Sequence, residues 1–329
     1  MKKTVCFGEI LLRLSPEGYT RFPQAERFSA FYGGSEANVA VSLAEFGTPA
    51  AYVSRVPDNA IGQAAINSLR RYGVDTDGVL RGGERLGLYF LENGASQRAA
   101  GLIYDRRHSA IAEATAADFD WDALLSGADW FHFSGITPAL SPAMAEATLS
   151  AVRAAKARGL TVSCDLNYRE KLWSRKEARA AMGALMPFVD VVIGTEEDAD
   201  DALDLRADGD YDALAKAIAA ATACRTVALI RRESRSATDH LWRAMLYDGT
   251  TTYYSKEYPV RLVDSVGGGD AFSAGIIYGL KSGLSAAETL EFATAASCLK
   301  YSIEGDANHV SAAEVFTLAD GDGSGRIRR

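Results

Sequence analysis

Short apolar runs alternate along this chain with longer stretches in which apolar side chains recur every three or four residues. TVCFGEILLRL (4–14), AAYVSRV (50–56), WFHFSGI (130–136), LTVSCDLN (160–167), VDVVIGT (189–195) and TVALIRR (226–232) are compact and rich in β-branched and aromatic residues, and read as buried strands. Between them, SEANVAVSLAEFG (35–47), NAIGQAAINSLRRYG (59–73), PAMAEATLSAVRAAKARG (142–159), RKEARAAMGALM (175–186) and DALAKAIAAATA (212–223) carry helical spacing. Gly47, Gly73 and Gly159 stand where a left-handed helix cap would fall. Strand alternating with helix predicts an α/β protein whose mostly parallel central sheet is covered by helices on both faces. Two segments break the rhythm, about 13–31 and 85–104. The second holds two strand-like runs around Asn93-Gly94, and the pair predicts a small antiparallel excursion serving as a lid or a dimer surface.

Composition narrows the class. The 329 residues are 48% apolar and 24% charged, enough for one large domain over 1–329 with the lid strands inserted, and no internal repeat is visible. A net charge of −8 argues against nucleic acid or an anionic membrane as partner. Cys6, Cys164, Cys224 and Cys298 form no C-x-x-C pair, and His108, His132, His240 and His309 show no metal-ligand spacing, so both sets are expected to be structural. The first apolar run is broken by Glu9 and Arg13 before a signal sequence is complete, and no run approaches 18 apolar residues, so a cytoplasmic protein is expected. DGDGSG (320–325) resembles half of a calcium loop but lacks room for the distal glutamate, and reads as a tail.

The chemistry gathers in four places. DSVGGGDAFSAG (264–275) follows a strand-like run and opens an apolar helix. The backbone N–H groups of Gly267, Gly268, Gly269 and Asp270 would face outward at the positive end of the helix dipole, forming an anion hole. A carboxylate there suits proton transfer, so Asp270 is a candidate base for a hydroxyl attacking a γ-phosphate; a plain strand-to-helix turn is the alternative. YGGSEANVAVSLAEFG (32–47) sets Gly33 and Gly34 before another helix, with Asn38 one turn inside and placed to bond a hydroxyl. The P-loop spacing is absent from both stretches. YDRRHSA (104–110) and DLNYREKLW (165–173) present Arg106 and Arg169 from loops, as candidates for gripping a carboxylate or as surface ion pairs. GTEEDADD (194–201) reads as an acidic helix start, with a role near Mg²⁺ as the alternative.

Together these stretches resemble the ribokinase-like (PfkB) carbohydrate kinases along the whole chain. The segment at 32–47 is similar to that family's first signature, and 264–275 to its second, D-T-x-G-A-G-D. FGEILLRLSP, GLYFLE, IYDRRHSA, FSGITPALS, DLNYREKLW and SCLKYSIEGDANHVS look like the members acting on 2-keto-3-deoxygluconate. The resemblance implies a three-layer α/β/α fold with a small antiparallel β lid, ATP and Mg²⁺ as cofactors with a monovalent cation such as K⁺ in some relatives, a sugar-acid substrate, and a homo-oligomer formed through the lid. It implies catalysis by Asp270 with Gly267, Gly268 and Gly269, and sugar-acid contacts from Gly34, Asn38, Tyr89, Tyr104, Arg106, Arg169, Asp270 and Asp306. ATP contacts would come from Asn167, Arg231, Arg232, Arg235, Gly267, Gly269 and Thr294. Asp264 would stand at the monovalent cation, and Asp198 would reach Mg²⁺ through water. Ser265 and Gly268 replace the usual Thr and Ala, Thr195-Glu196-Glu197-Asp198 replaces N-x-x-E, and RRESRSATD replaces K-x-G-x-x-G.

Overall fold

The computed structural model describes residues 1–321 and 323; of the DGDGSG stretch, Asp322, Ser324 and Gly325 lie outside the described residues. The strands in chain order are β1 (Lys3–Phe7), β2 (Leu11–Pro16), β3 (Phe28–Gly33), β4 (Ala50–Val56), β5 (Val79–Arg81), β6 (Gly87–Glu92) and β7 (Gly101–Asp105). They continue with β8 (Ala128–Ser134), β9 (Thr161–Asp165), β10 (Val191–Gly194), β11 (Thr226–Ser234), β12 (Asp239–Tyr247), β13 (Thr252–Tyr254) and β14 (Tyr258–Arg261).

The central ten-stranded sheet runs β13-β12-β11-β10-β9-β8-β1-β4-β5, with β14 also paired to β12. Pairing is parallel from β5 across to β11 and antiparallel around β12. Alternate side chains enter two separate cores. Cys6, Tyr52 and Ile193 pack under the helices Ser35–Glu45, Gly268–Ser282 and Ala286–Lys300, while Phe7, Val53 and Val192 pack under Pro142–Ala157, Arg175–Leu185 and Tyr211–Thr222. Burial on both faces is why these strands read as continuous apolar runs rather than alternating ones. The helices begin on side-chain caps: Ser141, Ser174, Asp210 and Ser285 each accept a backbone N–H of the first turn.

Two expectations change. The run 4–14 is not one strand: Gly8 to Ile10 break it, β1 staying in the central sheet and β2 leaving for the lid. Glu9 sits in that break, 2% exposed, because its carboxylate turns inward to Arg106 and Ser109. The lid is a four-stranded sheet in the order β3-β2-β6-β7, and it is mixed, since its central pair β2/β6 is parallel while the outer pairs are antiparallel. The chain between β6 and β7 reverses at Ala95–Arg98, joined by two backbone hydrogen bonds, rather than at Asn93-Gly94. Among the described residues, no helix is long and apolar enough to cross a membrane.

Candidate active site

The parallel strands deliver their following loops to one end of the sheet, where open α/β sheets bind ligands. Beyond β1 comes Glu9, beyond β9 come Asn167 and Arg169, beyond β10 come Thr195 to Asp198, and the end of β11 carries Arg232 and Ser234. A cavity of about 720 Å³ opens there, between these loops, the lid and the glycine turn.

The turn at 267–269 uses each glycine differently. Gly267 has φ +80°, and a Cβ there would strike the carbonyl of Asp306, so a side chain is excluded twice. A Cβ on Gly268 would run into the ring of Tyr301. At Gly269 a Cβ would meet nothing, which leaves that side of the turn open to the cavity. The helix Gly268–Ser282 starts here, and its first N–H groups have no intrahelical acceptors.

Asp270 lies one step inside that helix. Its Oδ1 accepts from Ser35 Oγ at 2.9 Å and its Oδ2 from Asn38 Nδ2 at 2.7 Å. Gly34 N–H donates weakly back to Asn38 Oδ1 at 3.4 Å, and Asn167, held in the left-handed region at φ 37°, donates from Nδ2 to Ser35 Oγ at 3.2 Å. The two sequence signatures thus meet at one carboxylate. Burial raises the pKa of Asp270, opposed by the Asn38 and Ser35 hydrogen bonds and by the charge of Arg169. Asp165, at the end of β9, is pushed well up by burial and by the charges of Asp198 and Asp270.

Gly34, Asn38, Tyr89, Tyr104, Arg106, Asn167, Arg169, Asp198, Arg232, Gly267, Gly268, Gly269, Asp270 and Asp306 all line the same cavity. Their states differ from the expectation in several places. Arg106 is 7% exposed and paired to Glu9, with Nε donating at 2.8 Å, and its guanidinium lies 5.3 Å from the Tyr104 ring centre. Its charge is already balanced. Arg169 is exposed and donates to the Tyr168 carbonyl at 2.9 Å, leaving its guanidinium accessible. Asp306 accepts from the Tyr89 hydroxyl and from Arg13 Nη1 at 3.1 Å, so both Tyr89 and Asp306 are engaged. Asp198 closes a capping box with Thr195 and also accepts from Tyr168 N–H at 2.9 Å, which makes it an architectural group at the cavity edge.

Two nucleotide expectations, Thr294 and Arg231, do not fit the structure. Thr294 is fully buried and its hydroxyl donates to the Leu290 carbonyl at 2.8 Å, the usual fate of a threonine inside a helix. Arg231 and Arg232 are neighbours on a strand and cannot face the same way. Arg232 faces the main cavity, whereas Arg231 stacks over Tyr211 at 5.2 Å in a separate cavity of about 410 Å³. Arg235 lines an adjoining cavity of about 520 Å³ with His240 and the lid residues Ser96 and Gln97, and this cavity shares Arg232, Ser234, Trp242 and Tyr301 with the main one. Asp264 is also outside the main cavity, accepting from Arg13 Nη2 at 2.7 Å and Gly305 N–H at 2.9 Å. Sequence reading missed Ser35, Glu9, Arg13 and Asp165. Ser35 alone carried a signal, as the residue after Gly34 at a helix start.

The model of the pfkB family carbohydrate kinases matches residues 1–313. The chain belongs to the pfkB family. Pfkb kinases use ATP with Mg²⁺. The chain is 45% identical to the crystal structure of a 2-dehydro-3-deoxygluconokinase from Thermotoga maritima, with a TM-score of 0.96 over 98% of this chain and 100% of that one. It is 34% identical over 321 residues to a 2-dehydro-3-deoxygalactonokinase of Haloferax volcanii, covering 98% of each chain. A 5-dehydro-2-deoxygluconokinase of Clostridium perfringens is 29% identical over 302 residues, 89% of this chain and 85% of that one. As a pfkB kinase, the protein has the α/β ribokinase-like fold anticipated from its sequence, lid included.

The donor set fits such cofactors. The open amides of the glycine turn and the cationic Arg232 suit phosphate oxygens. Among the described residues no three His, Cys, Asp or Glu side chains are grouped to hold a metal, but Asp165 and Glu197 line the cavity. One or two carboxylates suffice for Mg²⁺, which takes its other ligands from phosphates and water.

Proposed function

We propose that this pfkB kinase transfers the γ-phosphoryl group of ATP to the terminal hydroxyl of 2-keto-3-deoxygluconate, giving 2-keto-3-deoxy-6-phosphogluconate. The observation that carries the reading is the placement of Asp270, between the open glycine turn and an accessible Arg169, in one cavity. The 45% identity to a 2-dehydro-3-deoxygluconokinase supports the acceptor. Asp270 takes the proton of the attacking hydroxyl, whose oxygen bonds to phosphorus as the bond to the ADP oxygen breaks. Ser35 and Asn38 hold the carboxylate in place, and the amides of Gly268 to Asp270 face the charge that grows on the transferring group. Mg²⁺, when bound, neutralises phosphate charge; Asp165 and Glu197 are the carboxylates placed to hold its waters. The nucleotide runs from the turn past Arg232 toward Arg235 and His240. Arg169 takes the sugar-acid carboxylate, with Arg106, Tyr89 and Asp306 shaping the wall around it.

The protein works as one kinase domain over 1–329 in the cytoplasm, a setting in which four free, buried cysteines are at home, and pairs with a second copy through its lid. The galacto epimer is a second acceptor reading, favoured by the 34% identity to the Haloferax volcanii kinase. Coupled ADP release with the gluco and galacto keto-deoxy acids, gluconate and fructose tests the proposal. Turnover confined to the keto-deoxy acids, and lost in Asp270→Asn, is expected. Equal turnover on fructose would remove the acceptor assignment, and ligand binding without ADP would remove the kinase reading.

A further inference from the structure

Behind the glycine turn lies a buried group of four charges, of which only Asp306 also borders the cavity. Arg13, 1% exposed on β2, donates to Asp264 and Asp306, which are 1% and 4% exposed. Lys300, the last residue of the helix Ala286–Lys300, has no exposed surface and makes a hydrogen bond through Nζ to the Ile303 carbonyl at 3.0 Å. Its Cε is 2.9 Å from where a Cβ on Gly267 would stand, so its stem presses on the turn itself. Burial lowers the pKa of Lys300, and the charges of Asp264 and Asp306 oppose that shift and favour its ammonium form; Asp264 Oδ1 is buried with no hydrogen-bond partner. Two buried carboxylates therefore face two buried cations, and the group is neutral as built.

We infer that Lys300 supplies, from within the chain, the positive charge behind the glycine turn that a monovalent cation would otherwise supply, so that this kinase needs no K⁺. The expectation that Asp264 stands at a monovalent cation does not fit these residues. An added cation would leave an unbalanced positive charge in a site shut off from water, where such imbalance is costly. A charge fixed on the chain is also permanently in register with the turn, because Gly267 and Lys300 touch. Lys300 is a positioning residue: it meets neither substrate, and acts by holding the amides of the turn and adding to the field they project toward the transferring phosphate.

The inference rests on the proposed phosphoryl transfer at Asp270 but on no particular acceptor, so a wrong sugar leaves it standing. Initial rates of the full-length enzyme, with whichever acceptor turns over, are measured in KCl, NH₄Cl, NaCl and tetramethylammonium chloride at equal ionic strength. Melting temperatures are taken in the same four salts, a readout that needs no turnover at all. For the wild type, rates within about twofold and equal melting temperatures are expected. Lys300→Gln keeps a donor for the Ile303 carbonyl and removes the charge; in tetramethylammonium its kcat is expected to fall about tenfold or more, less than the roughly hundredfold or greater loss of removing an anion-hole donor itself, because Lys300 acts through the turn. K⁺ or NH₄⁺, small enough to enter beside Asp264, is expected to restore most of that rate and to raise the variant's melting temperature. Stimulation of the wild type fivefold or more by K⁺ would overturn the inference. So would a folded Lys300→Gln enzyme that keeps full rate in tetramethylammonium, or one that no small cation rescues. If that variant does not fold, the wild-type series still decides, indifference supporting the inference and stimulation ending it.

Discussion

Asp270 works as a base only when ionised, and its surroundings pull its pKa both ways. Burial raises it; hydrogen bonds from Asn38 and Ser35 and the charge of Arg169 lower it. The acid limb of kcat/KM is therefore expected above the ordinary aspartate value of 3.8, with activity lost as pH falls through it. Removing the Ser35 donor takes away a stabiliser of the ionised form, so Ser35→Ala should carry the limb to higher pH. A pH–rate profile of both enzymes checks this, and coincident limbs would detach the limb from Asp270. Arg169 makes a different prediction. Its guanidinium is accessible and, among the described residues, makes no ion pair, whereas Arg106 is balanced by Glu9. Arg169→Ala should raise KM for a keto-deoxy acid by about tenfold or more, the worth of one hydrogen bond to a charged group, while kcat changes less. An unchanged KM would move the carboxylate elsewhere in the cavity.

At the scale of elements, His132 on β8 shows what the parallel sheet demands of a polar residue in its middle. It is fully buried, its Nδ1 meets Ser163 Oγ on the neighbouring β9 at 2.9 Å, and burial holds its pKa down to about 3. A depressed histidine pKa means the unfolded chain binds the extra proton. Its contribution is complete above pH 6.5 and is lost as pH falls toward 3, about 2 kcal/mol by pH 5. Buried carboxyls with raised pKa, such as Asp165 and Asp306, act in the opposite sense, so the difference from a variant isolates the term. Between pH 7 and 5, urea unfolding should show the wild type losing about 2 kcal/mol relative to His132→Gln; a constant difference would show that His132 does not titrate on unfolding. The sheet was legible in advance because burial on both faces leaves short apolar runs, and β4 falls on 50–56 as read. The split at Gly8 to Ile10 was not, since Glu9 becomes tolerable only when Arg106, 97 residues away, supplies its partner. The two glycine signatures were legible as local turn chemistry, but the contacts of Arg13 and Lys300 were not. A lysine at a helix end reads as solvated, and nothing local to either residue announces Asp264 or Asp306. Thr294 and Arg231 failed for a further reason: a family position names a residue but not whether this chain buries it or turns it to the other face.

At the scale of the molecule, the lid carries an unpaired apolar face. On its inner side Leu11, Tyr89 and Leu91 pack toward Tyr104 and Val266. Strand alternation sends Phe90 outward, where Phe22 and Phe28 meet it edge-on at 6.5 and 6.2 Å and Ile103 stands opposite it on β7. Phe28 is 41% exposed and Ile103 53%, so the aromatic cluster is flanked by open apolar surface on both sides. A four-stranded sheet anchored on one face and apolar on the other would be completed by a like surface, which under the proposed pairing a second copy of the chain would supply through a two-fold axis. Light scattering after size exclusion should therefore give twice the chain mass. Phe28→Lys together with Ile103→Lys should halve it while leaving the melting temperature of the central sheet near that of the wild type, because neither residue reaches its cores. A wild type that elutes as a monomer would defeat the pairing, as would a variant that stays dimeric. The two charges also separate assembly from chemistry: Asp270 and the glycine turn lie on the inner side of the lid, so a monomeric variant with its usual kcat and a raised KM for the acceptor would mean that the partner steadies the lid over the sugar and takes no part in the transfer.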